Sequence, residues 1–379
     1  VRQENDMDAV ELTRELVRFD TINPPGQEQQ CARHLGRILE GAGFAVREHE
    51  FATTRTSLVA RIGGRAEKAP LCLTGHIDTV PLGGAPWTRD PFAGETAAGR
   101  LYGRGSSDMK SGVAAVVVAA VALAPRLRDT AGLELVITAG EEVGCEGAQY
   151  LAARTGALGR AGAIVVAEPT GNLPMVGHKG ALWLQIRATG VTAHGSMPER
   201  GVNAIYKAAR AVSKLEQFSF GVAPHPVLGP PTLNVGTITG GLNVNSVPDA
   251  ALIGVDIRTI PEQKNRELAD RIAEYLGDEV TVSTASINAP GVWTEPDDPW
   301  IREVFALTAP LHGGTIPVRA APYFTDASAL NAAYGGPPTV ILGPGELEMA
   351  HKTDEYCMVE RIEQAVGLYT ELARRWCGV

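Results

Sequence analysis

His76 and Asp78 stand two residues apart in the stretch Leu73-Thr-Gly-His76-Ile-Asp78-Thr-Val-Pro81. In extended backbone, residues i and i+2 face the same way, so an imidazole and a carboxylate can share one site there. A metal-ligating histidine often has such a partner, because the carboxylate fixes its tautomer and raises its basicity. Asp108, the adjacent Glu141 and Glu142, Glu168 and His351 add further oxygen and nitrogen donors. Singly, each has an ordinary reading: a helix cap for Asp108, a solvated acidic pair, a loop acid, exposed imidazoles. Jointly, His76, Asp108, Glu142, Glu168 and His351 are one donor more than a single tetrahedral zinc takes. They divide between two ions if one carboxylate bridges. Mixed imidazole and carboxylate donors fit zinc or manganese, and two-metal hydrolases hold their ions about 3.5–4 Å apart. Glu141 is then left beside the site as a natural general base.

The hydrophobic pattern indicates what must position these residues. Short, nearly all-apolar strands are expected at Pro70 to Thr74, Leu133 to Thr138, Ala163 to Ala167 and Pro338 to Leu342, separated by helices such as Val113 to Ala124. That alternation predicts an α/β unit with a mostly parallel sheet covered on both faces, whose ligands bind beyond the carboxyl ends of the strands. His76, Asp78, Asp108, Glu141, Glu142 and Glu168 all fall in or beside strand-exit loops. From residue 180 the pattern changes. Ala181 to Ala188 alternates as a half-buried strand, and two helices (201–218 and 261–276) with strands at 233–238, 251–257 and 279–287 describe a small α+β domain. The expected layout is a main domain formed by residues 1–179 and 293–379, interrupted by an inserted domain at 180–292. Helices at 8–18, 29–41, 299–309 and 359–376 complete the main domain, and 81–99 reads as a long irregular loop.

The 379 residues carry 20% charged side chains and a formal net charge of -9. That balance disfavours nucleic acid, whose binding depends on Lys and Arg. The longest apolar run, Gly112 to Pro125, reads as a buried helix rather than a membrane span. Five widely spaced cysteines without a CxxC read as free thiols. The polar start, Val1 to Ala9, has no targeting pattern, so a cytoplasmic location is expected. No phosphate-binding glycine loop and no Gly-x-Ser-x-Gly elbow is present.

In order along the chain, Gly75-His-Ile-Asp-Thr-Val-Pro81, Gly103-Arg-Gly-Ser-Ser-Asp-Met-Lys110, Glu141-Glu142, Glu168-Pro-Thr170 and Ala350-His351-Lys-Thr-Asp-Glu355 resemble the motifs of the M20 metallopeptidases and deacylases. Within that family they resemble the acetylornithine deacetylase and succinyl-diaminopimelate desuccinylase branch. The resemblance spans roughly residues 8 to 375. It implies a zinc-peptidase-like sheet with an inserted lid and dimerisation domain, and two divalent metal ions per subunit, usually zinc, with cobalt or manganese as substitutes. It implies His76 and Glu168 on one metal, Glu142 and His351 on the other, Asp108 bridging, Asp78 supporting His76 and Glu141 as general base. It further implies that His194 in Thr192-Ala-His-Gly-Ser-Met-Pro198 reaches the substrate or the oxyanion. Asn245 and Arg258 resemble holders of the substrate carboxylate, and an arginine fork suits that ion. Thr325 and Gly343 resemble substrate-loop residues. The implied reaction is hydrolysis of an N-acyl amino acid, or of a short peptide, in a homodimer formed through 180–292. A dipeptidase or carboxypeptidase and an N-carbamoyl amino acid amidohydrolase are the alternatives. Two positions depart from the common pattern: Gly140 stands where many relatives carry Asp, and Ser111 where Gly is common.

Overall fold

The computed structural model describes residues 7–64 and 67–379, so the polar opening stretch lies, through residue 6, outside the described residues. The chain separates into two units. One holds the chain up to Gly177 with Trp293–Ala320 and Thr325–Val379; the other holds His178–Val292 with Ala321–Phe324.

The larger unit is built on a six-stranded mixed sheet in the order Ala45–Ala52, Arg55–Ile62, Leu133–Thr138, Leu71–His76, Ala163–Val166, Thr339–Ile341. The last four strands run parallel to one another, and the first two close one edge antiparallel. Leu71–His76 and Leu133–Thr138 are buried at every position, as strands covered on both faces must be, and this is why they read as continuous apolar runs. Parallel strands share a direction. The residues that follow His76, Thr138, Val166 and Ile341 are therefore delivered to one edge of the sheet.

One face carries Leu58, Leu71, Leu73, Leu133, Leu135 and Val165, packed with the helices Ala9–Val17, Gln29–Gly41, Ser111–Leu127 and Val359–Cys377. Ser111–Leu127 is the centre of that layer and packs along Val359–Cys377. Its residues from Ser111 to Ala120 are buried all round, with Leu123, Ala124 and Leu127 buried in the last turns, as so apolar a sequence requires. Taken with the preceding turn, the helical segment Ser106–Leu127 is longer than the apolar run itself and passes for a bilayer span by length and composition, but most of it is buried inside the fold. Helix starts follow local chemistry. Asp8 and Asp298 accept N–H bonds in the first turns of Ala9–Val17 and Pro299–Thr308, and proline at the start of the second is pre-set for helix.

Three features escaped the pattern. The helices Glu146–Ala153 and Ala327–Ala333 are short and Ala-rich, without a clear stripe. Inside the supposed 81–99 loop and just after it, Thr96–Ala97 pairs with Arg100–Tyr102, which in turn pairs with Tyr356–Met358. Strands of two or three residues whose partner lies some 250 positions away carry no local signal.

The smaller unit is a four-stranded antiparallel sheet in the order Thr232–Gly240, Ala250–Thr259, Gly180–Thr189, Val280–Ala289. Leu182, Leu184, Ile186, Ile253 and Val255 on one face pack with Ala204, Ala208, Leu215, Leu268 and Ile272 of two helices. The other residues of Gly180–Thr189 from Trp183 onward alternate to the exposed face. The helices begin at Ala204 and Asn265, three or four residues later than the sequence indicated, because Asn203 caps the first and Pro261 to Lys264 stay outside the second.

Candidate metal centre

His76 ends its strand with the ring buried. Nδ1 donates to the main-chain oxygen of Asp78 at 3.0 Å and lies 3.5 Å from its carboxylate. This orients Nε2 toward Asp108 Oδ1 at 3.2 Å and Glu168 Oε1 at 3.9 Å. Asp78 has a second task. Its two oxygens accept the main-chain N–H groups of Glu141 and Glu142 at 3.1 and 3.2 Å and the Asn23 amide at 3.0 Å. One buried carboxylate thus steadies the imidazole and pins the turn that carries the two glutamates.

Asp108 does not cap the following helix, which begins at Ser111 with Lys110 at its cap. It sits in extended backbone, φ -120 and ψ 92, so that its two oxygens part company. Oδ1 faces His76, while Oδ2 lies 3.4 Å from His351 Nε2, which also donates to Glu142 Oε2 at 3.1 Å. The result is two donor triads, His76–Asp108–Glu168 and Asp108–Glu142–His351, each with ligand atoms within 4.8 Å of one another. Asp108 is common to both. Glu142 Oε1 is buried without a hydrogen-bond partner, a costly state for a carboxylate oxygen unless a cation meets it. Two mixed nitrogen and oxygen sets sharing one carboxylate, with an orphaned donor atom inside, fit a dinuclear divalent-metal site.

The electrostatics show what the cations would relieve. Burial raises Glu141 and Glu168 well above the usual carboxylate range, reinforced by their acidic neighbours and opposed by His76. Burial also pushes Glu142 up to about 7. Burial would lower His76, but hydrogen bonds to Asp108 and Asp78 and the charge of Glu168 outweigh it, so it lies well above its ordinary value. His351 is pushed up to about 10, first by its hydrogen bonds to Asp108 and Glu142. Asp108 is held well below the usual range: burial opposes this, and the two histidines win. In the metal-free protein near neutrality, protons therefore occupy the two histidine donors while Asp108 stays ionised. A histidine with a raised pKa stays protonated until pH approaches that value, and only the neutral ring ligates. Affinity for added Co2+ is expected to rise with pH from about 7 toward about 10, with protons released on uptake. Calorimetric titration in two buffers of different ionisation heat measures the release; zero protons released at pH about 7 would contradict this charge state.

Glu141 is buried, with the Cys145 thiol 3.9 Å from Oε1. The preceding Gly140 has φ +79, and a Cβ there would meet Arg55 Nη2 at 2.8 Å. Arg55 is itself held by the buried Glu28 at 2.9 Å and by Glu146 at 3.2 Å. In this chain, glycine at 140 makes room for that cation behind the glutamate turn.

The other singled-out residues are placed as follows. Thr325 is buried and its hydroxyl accepts the Ala327 N–H at 3.1 Å. Gly343 lies against the backbone oxygens of Ala167 and Glu168, which a Cβ would approach to 2.2 and 2.5 Å. Gly343→Ala is expected to destabilise the protein by about 1–3 kcal/mol through overpacking, read as a shift of the urea midpoint. An unchanged midpoint would mean that the Glu168 segment yields freely. In the smaller unit, His194 is exposed, bonded to Ser196 Oγ at 2.7 Å and bridged to Ser246, and Gly195 N–H donates to Asn245 O at 2.7 Å. Folding thus brings His194 and Asn245 into adjacent segments. Arg258 is half-buried with its guanidinium 3.1 Å from Asp256.

Sequence reasoning missed three residues. Asn23 looked like part of a helix-ending loop, and Glu355 like the tail of the His351 motif. Asp326, which precedes a short apolar stretch, is buried, accepts from Thr138 Oγ1, and is pushed up to about 6 by burial.

The family model for peptidase family M20/M25/M40 matches residues 72–375. The chain is 31% identical to the acetylornithine deacetylase of Proteus mirabilis (strain HI4320), covering 97% of this chain and 96% of that one. It is 28% identical to a probable succinyl-diaminopimelate desuccinylase of Staphylococcus epidermidis, covering 98% of both. A crystal structure of an M20 family metallo-carboxypeptidase from Sulfolobus solfataricus superimposes with a TM-score of 0.79 at 18% identity, over 98% of this chain and 99% of that one, and shares the fold. With two donor triads meeting at Asp108 on the carboxyl edge of a mixed sheet, the chain belongs to the M20/M25/M40 peptidase family and is a metal-dependent amidohydrolase related to the acetylornithine deacetylase and succinyl-diaminopimelate desuccinylase branch.

Proposed function

We propose that this protein hydrolyses the amide bond of an N-acyl amino acid, as acetylornithine deacetylases and succinyl-diaminopimelate desuccinylases are named for doing, with zinc as its metal. The observation that carries the reading is the pair of triads sharing Asp108, with a further buried carboxylate, Glu141, beside Glu142. His76 and Glu168 would hold one cation, Glu142 and His351 the other, and Asp108 both. Bound there, two divalent cations supply Lewis acidity toward a scissile carbonyl and toward the attacking water.

The chain's own groups do the rest. Asp78 fixes His76 through Nδ1 and keeps the Glu141–Glu142 turn in place. Glu141 is the general base: its raised proton affinity suits taking a proton from water as it attacks and returning it to the leaving amine. His194 is assigned to the developing oxyanion, Arg258 and Asn245 to the substrate carboxylate, and Thr325 and Gly343 to the substrate loops; motif resemblance supports these roles. A homodimer formed through 180–292 is supported by exposed Val191, Tyr206, Ile238, Leu242 and Val244 and by the edge position of Thr232–Gly240. A cytoplasmic setting is supported by five free cysteines.

The test is amide hydrolysis by protein stripped of metal and reloaded with zinc, cobalt or manganese. It is offered N-acetyl, N-succinyl and N-carbamoyl amino acids and dipeptides. Metal-dependent release of acetate or succinate supports deacylation. Turnover of dipeptides alone makes it a peptidase, and ammonia and carbon dioxide from the carbamoyl substrates make it a carbamoyl amidohydrolase.

A further inference from the structure

Glu355 is fully buried, and its carboxylate is saturated by donors from one short loop. Oε1 accepts the main-chain N–H groups of Ser107 at 2.8 Å and Asp108 at 3.0 Å, and Oε2 accepts that of Gly105 at 3.0 Å and Arg104 Nη1 at 2.6 Å. Four donors fill the four lone-pair sites of a carboxylate. Arg104 is equally buried, and its fork also reaches the main-chain oxygens of Lys352 at 3.3 Å and Pro81 at 3.0 Å.

The pair therefore ties together three segments of the metal centre: the one leaving Asp78, the loop carrying Asp108 and the loop carrying His351. That tie matters because the middle of the Asp108 loop departs from helical backbone. Gly105 is left-handed at φ +83, Asp108 and Met109 have non-helical φ/ψ, and the main-chain N–H groups of Gly105, Ser107 and Asp108 are met by Glu355, while the Lys110 N–H bond to Gly105 O at 2.8 Å closes the turn. A buried ion pair is weak evidence for a stability role, since desolvation offsets most of its attraction. A pair whose donors all converge on one loop is well suited to set that loop's conformation.

We propose that Glu355, clamped by Arg104, is the positioning residue that turns the two oxygens of Asp108 toward separate metals and keeps His351 in register with them. The proposal rests on the two-metal reading above. Residues holding the partners of metal-site groups typically change metal affinity by about 10–100-fold when replaced. Glu355→Gln keeps the volume but sets an NH2 group against N–H donors. It is expected to weaken Co2+ binding at both sites by about 10–100-fold, more at the Glu142–His351 site, whose histidine lies on Glu355's own segment.

The experiment is titration of metal-free protein with Co2+, followed by visible absorption, with circular dichroism melting of each metal-free protein alongside. Weakened uptake and an altered cobalt spectrum in a folded variant support the proposal. Two equivalents bound with parent affinity and spectrum by Glu355→Gln overturn it, whatever the melting temperature. If Glu355→Gln is recovered unfolded, Arg104→Lys decides: it keeps the charge and loses the fork, and parent-like cobalt binding there overturns the proposal. Parent protein that takes up fewer than two equivalents would instead overturn the two-metal reading itself.

Discussion

Glu141→Gln is expected to lower kcat by about 10³-fold, within the range ascribed to a positioned general base, while two metal equivalents stay bound. The substitution keeps the side-chain volume and the main-chain N–H that Asp78 accepts at 3.1 Å, so the turn carrying Glu142 should not move. What is lost is a proton acceptor. Glu141 is buried, and its carboxyl lies well above the usual range because burial and the charges of Glu168, Glu142 and Asp326 outweigh His76. A carboxylate of raised proton affinity is a stronger acceptor for a proton from the attacking water and can surrender it to the leaving amine. Metal content by atomic absorption and kcat at saturating substrate separate the two effects. A variant with full metal and parent kcat would remove Glu141 from the chemistry. A variant that has lost metal would place it in the metal shell instead.

The second large effect is expected at Asp108. Its oxygens serve different partners, Oδ1 facing His76 and Oδ2 facing His351. Asp108→Asn offers one amide oxygen and one NH2 group, so it can complete only one of the two triads. The expected result is one tight Co2+ equivalent instead of two, and turnover reduced by more than about a hundredfold, beyond the span for residues that only support a ligand. Asp108→Ala should lose both. Two tight equivalents in Asp108→Asn would show that Asp108 does not serve both triads. His351→Ala is the useful contrast, because the His76–Asp108–Glu168 triad does not contain it.

Much of the site is legible from local pattern because its residues follow parallel strands. Leu71–His76, Leu133–Thr138 and Ala163–Val166 are buried at every position and mostly apolar since both faces are covered, and the acidic residues that follow such runs are those the chain delivers to the sheet edge. The alternation of Gly180–Thr189 marks a second unit in the same way, one face against helices and the other toward solvent. Short helices and two-residue strands stay silent, because periodicity needs several turns to emerge and a pairing partner far along the chain leaves no local trace.

By itself the sequence determined the donor types, their order and their strand-exit placement, and hence a mixed nitrogen and oxygen metal centre on an α/β sheet. These are consequences of burial and backbone period, which act over a few residues. Tertiary structure decided how those donors are aimed. It gave Asp78 three hydrogen-bond donors from Asn23, Glu141 and Glu142, and it turned the Asp108 loop out of the helix that follows it. It also brought Glu355 to that loop from 247 residues away. A buried carboxylate must be met by donors from whichever segments the fold places beside it. That requirement is satisfied in space, so nothing in the local order of residues reveals it.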